Sequence, residues 1–229
     1  MLFFVLLQSA PNRSRRRKMA ADNTLIFEGT RWQTARAVPA GSTLFEITAT
    51  GRGRKWATDT PLGFWRTFAE IPLNDGDAVA GFVQRYGDPW GQLDARKPVH
   101  TARWGDLASA LAVVADAWAV TLDDQTALGR SEDPESYQRA VQAFRDDLWP
   151  QIRGDLRVEL GSLIGGAVVV PVVGTLAAFM ALSAASALRR NVPMRRCEHC
   201  SHWLEMDRRD QRFCSSSCRS FNSQQRKEK

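Results

Sequence analysis

The stretch CEHCSHWLEMDRRDQRFCSSSC, residues 197–218, holds all four cysteines of a 229-residue chain. The spacing is C-x2-C-x13-C-x3-C, with Cys197, Cys200, Cys214 and Cys218 as the sulfur donors. Two close pairs separated by a hairpin-sized insert fit a structural zinc site, where four thiolates surround the ion at about 2.3 Å. The first pair occupies a tight turn that can point two sulfurs the same way. In the second, Ser215 can cap a helix that carries Cys218, so that backbone N–H groups face the metal-bound thiolates. Trp203, Leu204 and Phe213 are expected to supply the two strands of a short hairpin and its apolar layer. A knuckle, a hairpin and a ligand-bearing helix make a treble-clef finger, predicted over 193–229 with Zn2+ as its cofactor. Disulfides need an oxidising compartment, for which there is no export signal. A redox C-x-x-C leaves the second pair without a role. His199 and His202 could each replace a cysteine, but four sulfurs already fill the shell.

Around the cysteines the chain is basic. On a helix from about Ser216, Arg219, Asn222 and Arg226 fall at i, i+3 and i+7 and share a face, with Lys227 and Lys229 beyond them. Arg208, Arg209 and Arg212 add a basic hairpin tip. Arginine and asparagine suit phosphate and base-edge contacts, so DNA is the expected partner, with RNA as the alternative. A second reading keeps weight. Four thiolates on Zn2+ leave a −2 centre that basic neighbours neutralise, and a finger of this kind can serve stability, a protein partner or a homodimer. A nuclease reading lacks a catalytic histidine at the end of the hairpin.

The tail RRCEHCSHWLEMDRRDQRFCSSSCRSFNSQQRK resembles the carboxy-terminal zinc fingers of bacterial proteins related to the CGNR-finger group. The shared marks are R-R-C-x-x-C, an aromatic residue three positions after the second cysteine, a basic tip, and F-C-S-x-x-C-R followed by a basic helix. The body resembles such chains loosely, through AVAGFVQRYGD and through a strand ending VVVP ahead of a long helix. The resemblance implies a predicted transcriptional regulator whose variable, ligand-binding-like body precedes a treble clef. After Cys218 the chain has Arg219-Ser220-Phe221-Asn222 in place of Gly-Asn-Arg, so the resemblance carries the four ligands and no role specific to that tripeptide.

Outward from the finger, the charge divides. Residues 1–18 carry five positive charges, residues 189–229 a net +6, and residues 19–188 a net −5. The asymmetry localises any attraction for polyanions to the cysteine-bearing end. MLFFVLLQSAPNRSRRRK places its apolar run ahead of its basic cluster, the reverse of a secretory signal. It reads as a disordered leader or as sequence ahead of a start at Met19, with a basic targeting or nucleic-acid arm as the alternative.

The body, residues 19–190, is expected to be α+β and cytoplasmic, a sensor for a small-molecule effector that the sequence does not identify. Leu25–Thr60 reads as a small antiparallel unit made from LIFEGT, STLFEITAT and KWATDT. TPLGFWRTFAEI reads as a helix with Pro61 near its first turn, and NDGDAVAGFVQRYGD as one capped by Asp75 or Asp77 and ended by Gly87. TARWGDLASALAVVADAW recurs at helical spacing through Trp104, Leu107, Ala108, Leu111, Val114, Ala115 and Trp118, behind Thr101 as cap. ALGRSEDPES reads as a linker. After it, SYQRAVQAFRDDLW places Tyr137, Val141, Phe144 and Leu148 on one face, with Pro150 as stop or kink.

Residues 161–188 carry no charge, long enough for a membrane span. Glycines and Pro171 divide the stretch instead into a hairpin with a Gly-Gly turn and a helix over 172–190, so no stable membrane association is expected. With the cysteines committed, an enzymatic body would depend on His100 and on Asp75, Asp77 or the Asp123-Asp124 and Asp146-Asp147 pairs. Adjacent carboxylates point apart on a helix, so no catalytic residue and no enzyme is predicted.

Overall fold

A computed structural model describes residues 25–41, 44–59, 62–121, 125–163 and 166–227, without the side chains of 160–163, 166–169 and 226–227. The leader 1–18, Met19, Pro61 and the Asp123-Asp124 pair lie outside the described residues. The fold is α+β, as expected, with three small sheets packed around a helical core.

The expected antiparallel unit divides between two sheets. β1 (Ile26–Arg31), β2 (Arg36–Pro39), β3 (Phe45–Thr48) and β4 (Arg54–Thr58) pair as β1 with β4 and β2 with β3. Two helices follow, α1 (Phe64–Ala69) and α2 (Gly76–Tyr86). Asp75 caps α2, its carboxylate accepting the N–H groups of Asp77 at 2.9 Å and Ala78 at 3.2 Å. Gly87 ends the helix at φ 103°, where a Cβ would sit 2.2 Å from the carbonyl oxygen of Thr30. Glycine alone meets both the left-handed backbone and the close approach.

β5 (Val99–His100) adds to β3 and leads through a 3-10 turn into α3 (Trp104–Ala115), followed by β6 (Trp118–Val120). The whole expected stripe from Trp104 to Trp118 is buried, although Trp118 already belongs to β6. Thr101 does not cap α3; its hydroxyl accepts the Phe45 N–H at 3.0 Å and fastens the helix start to β3.

The segment read as a linker contains a strand, β7 (Thr126–Arg130), which leads to α4 (Pro134–Ala143) capped by Asp133. A π-turn over Phe144–Leu148 carries the chain into α5 (Trp149–Ile152), so the helix passes Pro150 instead of ending there. The extra residue in that turn shifts the helical phase. Ser136, Ala140 and Ala143 are therefore buried, while Tyr137 and Val141, placed on the core face by a constant period, are exposed. The Arg130 guanidinium lies over the Tyr137 ring at 4.8 Å.

β8 (Leu156–Leu163) and β9 (Gly166–Val173) form the expected hairpin, with Leu163 opposite Gly166. The next helix, α6 (Leu176–Arg190), begins later than expected, because Val172 and Val173 continue β9 past Pro171 to pair in parallel with Ile26 and Phe27. Thr175 caps α6 through the Ala178 N–H at 3.2 Å. Alanines let α6 pack closely on several sides, and Phe179 stacks on Phe27 at 5.1 Å. Among the described residues, no helix is long and apolar enough to cross a membrane.

β10 (Met194–Arg196), β11 (Trp203–Glu205) and α7 (Ser216–Lys227) complete the chain. β10 pairs with β11 on one side and with β7 on the other, giving a sheet of order β11-β10-β7-β6. Val192, Met194 and Trp203 belong to the main core, and the Trp118 indole donates to the Val192 carbonyl at 2.9 Å. Helix α1 presses against β11: a Cβ on Gly63 would lie 2.7 Å from the Glu205 nitrogen.

Candidate metal centre

The β10–β11 ladder holds Arg196 opposite Trp203, so the intervening 197–202 must reverse tightly. Cys197 donates its N–H to the His202 carbonyl at 2.9 Å, Ser201 donates back to the Cys197 carbonyl at 2.9 Å, and Ser201 adopts φ 58°. This knuckle presents Cys197 and Cys200. On the other side, Ser215 caps α7 as expected, its hydroxyl accepting the Cys218 N–H at 3.2 Å. Cys214 and Cys218 thus enter from the loop before the helix and from its first turn. The backbone bond from Glu198 N–H to the Arg212 carbonyl, 3.1 Å, brings the two halves together.

All four sulfurs lie within 4.8 Å of one another. Cys200 and Cys214 are 3.6 Å apart, Cys214 and Cys218 3.5 Å. A tetrahedron with metal–sulfur bonds of about 2.3 Å has edges of about 3.8 Å, whereas a disulfide bond is about 2.05 Å. The arrangement fits a metal ion held by four thiolates. Cys197 and Cys218 are buried against Leu204, with Met206 and Phe213 beside them.

One detail of the expected finger differs. Phe213 belongs to no strand. The hairpin is formed by β10 and β11, which flank the knuckle, because β10 finds a partner on each side and Trp203 is drawn into the main core.

The sulfurs polarise each other. Hydrogen bonding from Cys214 holds the Cys200 thiol down at about 3, and the same contact pushes the Cys214 thiol up. A metal ion held there by the four cysteines would displace the thiol protons, since metal binding releases protons from thiol ligands.

Two residues of α2, unforeseen in the sequence, complete the surroundings. Arg85 Nη2 donates to Cys214 Sγ at 3.3 Å. Burial opposes its charge, but its interactions with Tyr86 and with the Cys200 and Cys214 sulfurs outweigh burial and raise its pKa. The Tyr86 hydroxyl lies 2.9 Å from His202 Nδ1, and burial followed by the Arg85 charge lowers the His202 pKa. Tyr86 also stacks on Phe64 at 4.1 Å. No local pattern marks Arg-Tyr at a helix end as part of a metal site; only the folding of α2 beside the knuckle makes it one. Removing Arg85 as Arg85→Met is expected to speed metal loss to a chelator about ten-fold or more, as for other residues that support ligands. Unchanged release would show that the guanidinium is a bystander.

The predicted basic residues separate into two groups. Arg208 and Arg209 at the tip and Arg219 on α7 are exposed, and Asn222 is half-buried on the same helix. Arg212 grips the Glu198 carboxylate through two nitrogens. The backbone of Arg226 continues α7, and its side chain lies outside the described residues. Nearby arginines are also paired: Arg195 with Glu198 at 3.7 Å, Arg196 with Glu70 at 2.7 Å, and Arg190 with Glu205 at 2.7 Å. In the body, Asp75 is spent on a helix cap, Asp146 pairs with Arg145, and His100 lies 3.7 Å from Glu46.

Compared with protein-family models, with curated proteins and with solved structures, the chain finds no significant match.

Proposed function

We propose that the chain is a zinc-binding regulator that holds nucleic acid through its basic C-terminal finger. The observation that carries the reading is the convergence of four sulfurs, two from a knuckle and two from a capped helix, at separations suited to one ion. Zinc fits the donor set best, because an all-thiolate tetrahedral shell with no open position is the form of a structural zinc site. The ion would be held by Cys197, Cys200, Cys214 and Cys218, and its contribution is to fix α7 against the knuckle. Exposed Arg208, Arg209 and Arg219 then face solvent on one small scaffold, in a tail of net charge +6. Positive charge at fixed separations suits a phosphate backbone. A transcriptional role, as the CGNR-like resemblance implies, belongs to this proposal.

A second reading, a finger that stabilises the protein or contacts a protein partner, is favoured by a specific observation. Arg190, Arg195, Arg196 and Arg212 all pair with carboxylates of the chain itself. A salt series separates the two. If the finger binds nucleic acid, zinc-loaded protein should retard labelled DNA with an affinity that falls as salt rises. Arg208→Ala with Arg219→Ala should flatten the slope by about 0.9 log unit for each phosphate no longer neutralised, with zinc content unchanged. Arg130→Ala and Arg139→Ala should alter neither. Zinc-loaded protein that shows no salt-dependent affinity for duplex or single strand would reject the proposal and favour a protein partner.

A further inference from the structure

On α7 the residues around Phe221 are serine, arginine, asparagine and glutamine, yet this phenylalanine is 55% exposed and stands outside the small core beneath the cysteines. An apolar ring on a polar helix loses hydration free energy unless something covers it. Part of one face is covered already: the His199 imidazole lies nearly parallel to it, centroids 5.5 Å apart and planes 11° from coplanar. His199 sits between the knuckle ligands Cys197 and Cys200, and Phe221 follows Cys218 by less than one turn. The two rings are therefore held by opposite halves of the four-sulfur cluster. Beside Phe221 the same face of α7 presents Ser216, Ser217, Ser220 and Gln224 as an open, shallow surface. Its polar groups are hydroxyls and one amide, which both donate and accept.

Resting on the nucleic-acid reading above, we propose that this site takes an unpaired base, so that the finger prefers single-stranded to duplex nucleic acid. A flat ring with an exposed face and polar groups at its side match the face and the edge of a base, while the net charge of +6 on the tail suits the phosphates. In a duplex the base faces are stacked on one another and out of reach, whereas a single strand offers them. Stacking accepts any base, since each has a π-face, and the serines and Gln224 then reach its edge. The lining favours a nucleotide over an apolar peptide, because Phe221 is its one apolar member and the tail is positively charged.

The test uses the full zinc-loaded chain and fluorescence anisotropy with a labelled thymine oligonucleotide and a labelled duplex of the same length. The single strand should bind more tightly. Phe221→Ala should weaken it about five-fold or more, the loss expected for one stacked base. Duplex affinity and zinc content should stay unchanged, and Phe221→Tyr should restore the single-strand affinity. If Phe221→Ala binds the single strand as wild type does, while salt-dependent binding persists, the stacking site is wrong and the nucleic-acid reading stands. If the wild type binds neither strand form, the nucleic-acid reading fails and the stacking site fails with it.

Discussion

Cys197→Ser is expected to abolish metal binding, with elemental analysis falling from one zinc per chain to none. Cys197 is 1% exposed and anchors the knuckle at the end of β10. A hydroxyl in its place leaves three thiolates and a buried, weakly coordinating oxygen. Structural zinc in small fingers contributes about 10–16 kcal/mol of apparent binding energy, far more than the small apolar layer of Leu204, Met206 and Phe213 can supply. The destabilisation should concentrate in residues 197–227. Amide exchange there should become fast, while the helices α3 and α6 stay protected, since their core is continuous without the cysteines. β10 should hold an intermediate position, because Met194 is fully buried and pairs with β7 whether or not metal is present. Wild-type protein prepared without chelators and still free of zinc would overturn the metal assignment outright.

Trp203→Ala is expected to be the most damaging substitution away from the sulfurs, lowering stability by about 3–5 kcal/mol in chemical denaturation. The indole is 2% exposed. Its N–H donates to both oxygens of Glu70, at 2.9 and 2.8 Å, and its backbone N–H donates to Thr67 Oγ1 at 2.8 Å. The guanidinium carbons of Arg66 and Arg196 stand over the ring at 4.4 and 4.8 Å. Arg66 is itself 3% exposed. Burial lowers its pKa while Glu70 raises it, and two of its nitrogens have no hydrogen-bond partner among the described residues. Removing the indole therefore opens a cavity and takes away the surface on which a buried cation rests. The indole packs into the main core, apart from the small cluster beneath the sulfurs, so the folded fraction should keep its zinc. A destabilisation below about 1 kcal/mol would mean that the ring is not the link between α1 and β11.

The parts of this structure that the sequence reveals are those encoded locally. The cysteine spacing marks the four-sulfur cluster, Asp75 and Ser215 mark helix starts, and the stripe from Trp104 to Trp118 marks the core face of α3. Most of what stays hidden depends on distant partners. β7 reads as a linker because Ala127 is its one buried residue while Leu128 faces outward, so the usual alternation is barely present. Its pairing comes from β10, far along the chain. The face of α4 is hidden by a single inserted residue in the π-turn, which a fixed period cannot represent. Arg85 and Tyr86 look like an ordinary helix terminus until α2 is laid against the knuckle. β7 and the Arg85-Tyr86 pair need a long-range partner to acquire meaning, whereas the π-turn is a local irregularity.

The pairing of β10 with β7 also orders events during synthesis. When Thr126–Arg130 has left the ribosome, its partner strand has not yet been made, and β7 carries an open edge of backbone donors and acceptors. Trp118 likewise waits for the Val192 carbonyl that will receive its indole N–H. The sheet that joins the middle of the chain to the cysteines can close only after residues 194–196 emerge, a non-local closure that is slow by its nature. The nascent body thus passes through an interval with an unfinished sheet, and the strand that seals it leads directly into the four clustered cysteines.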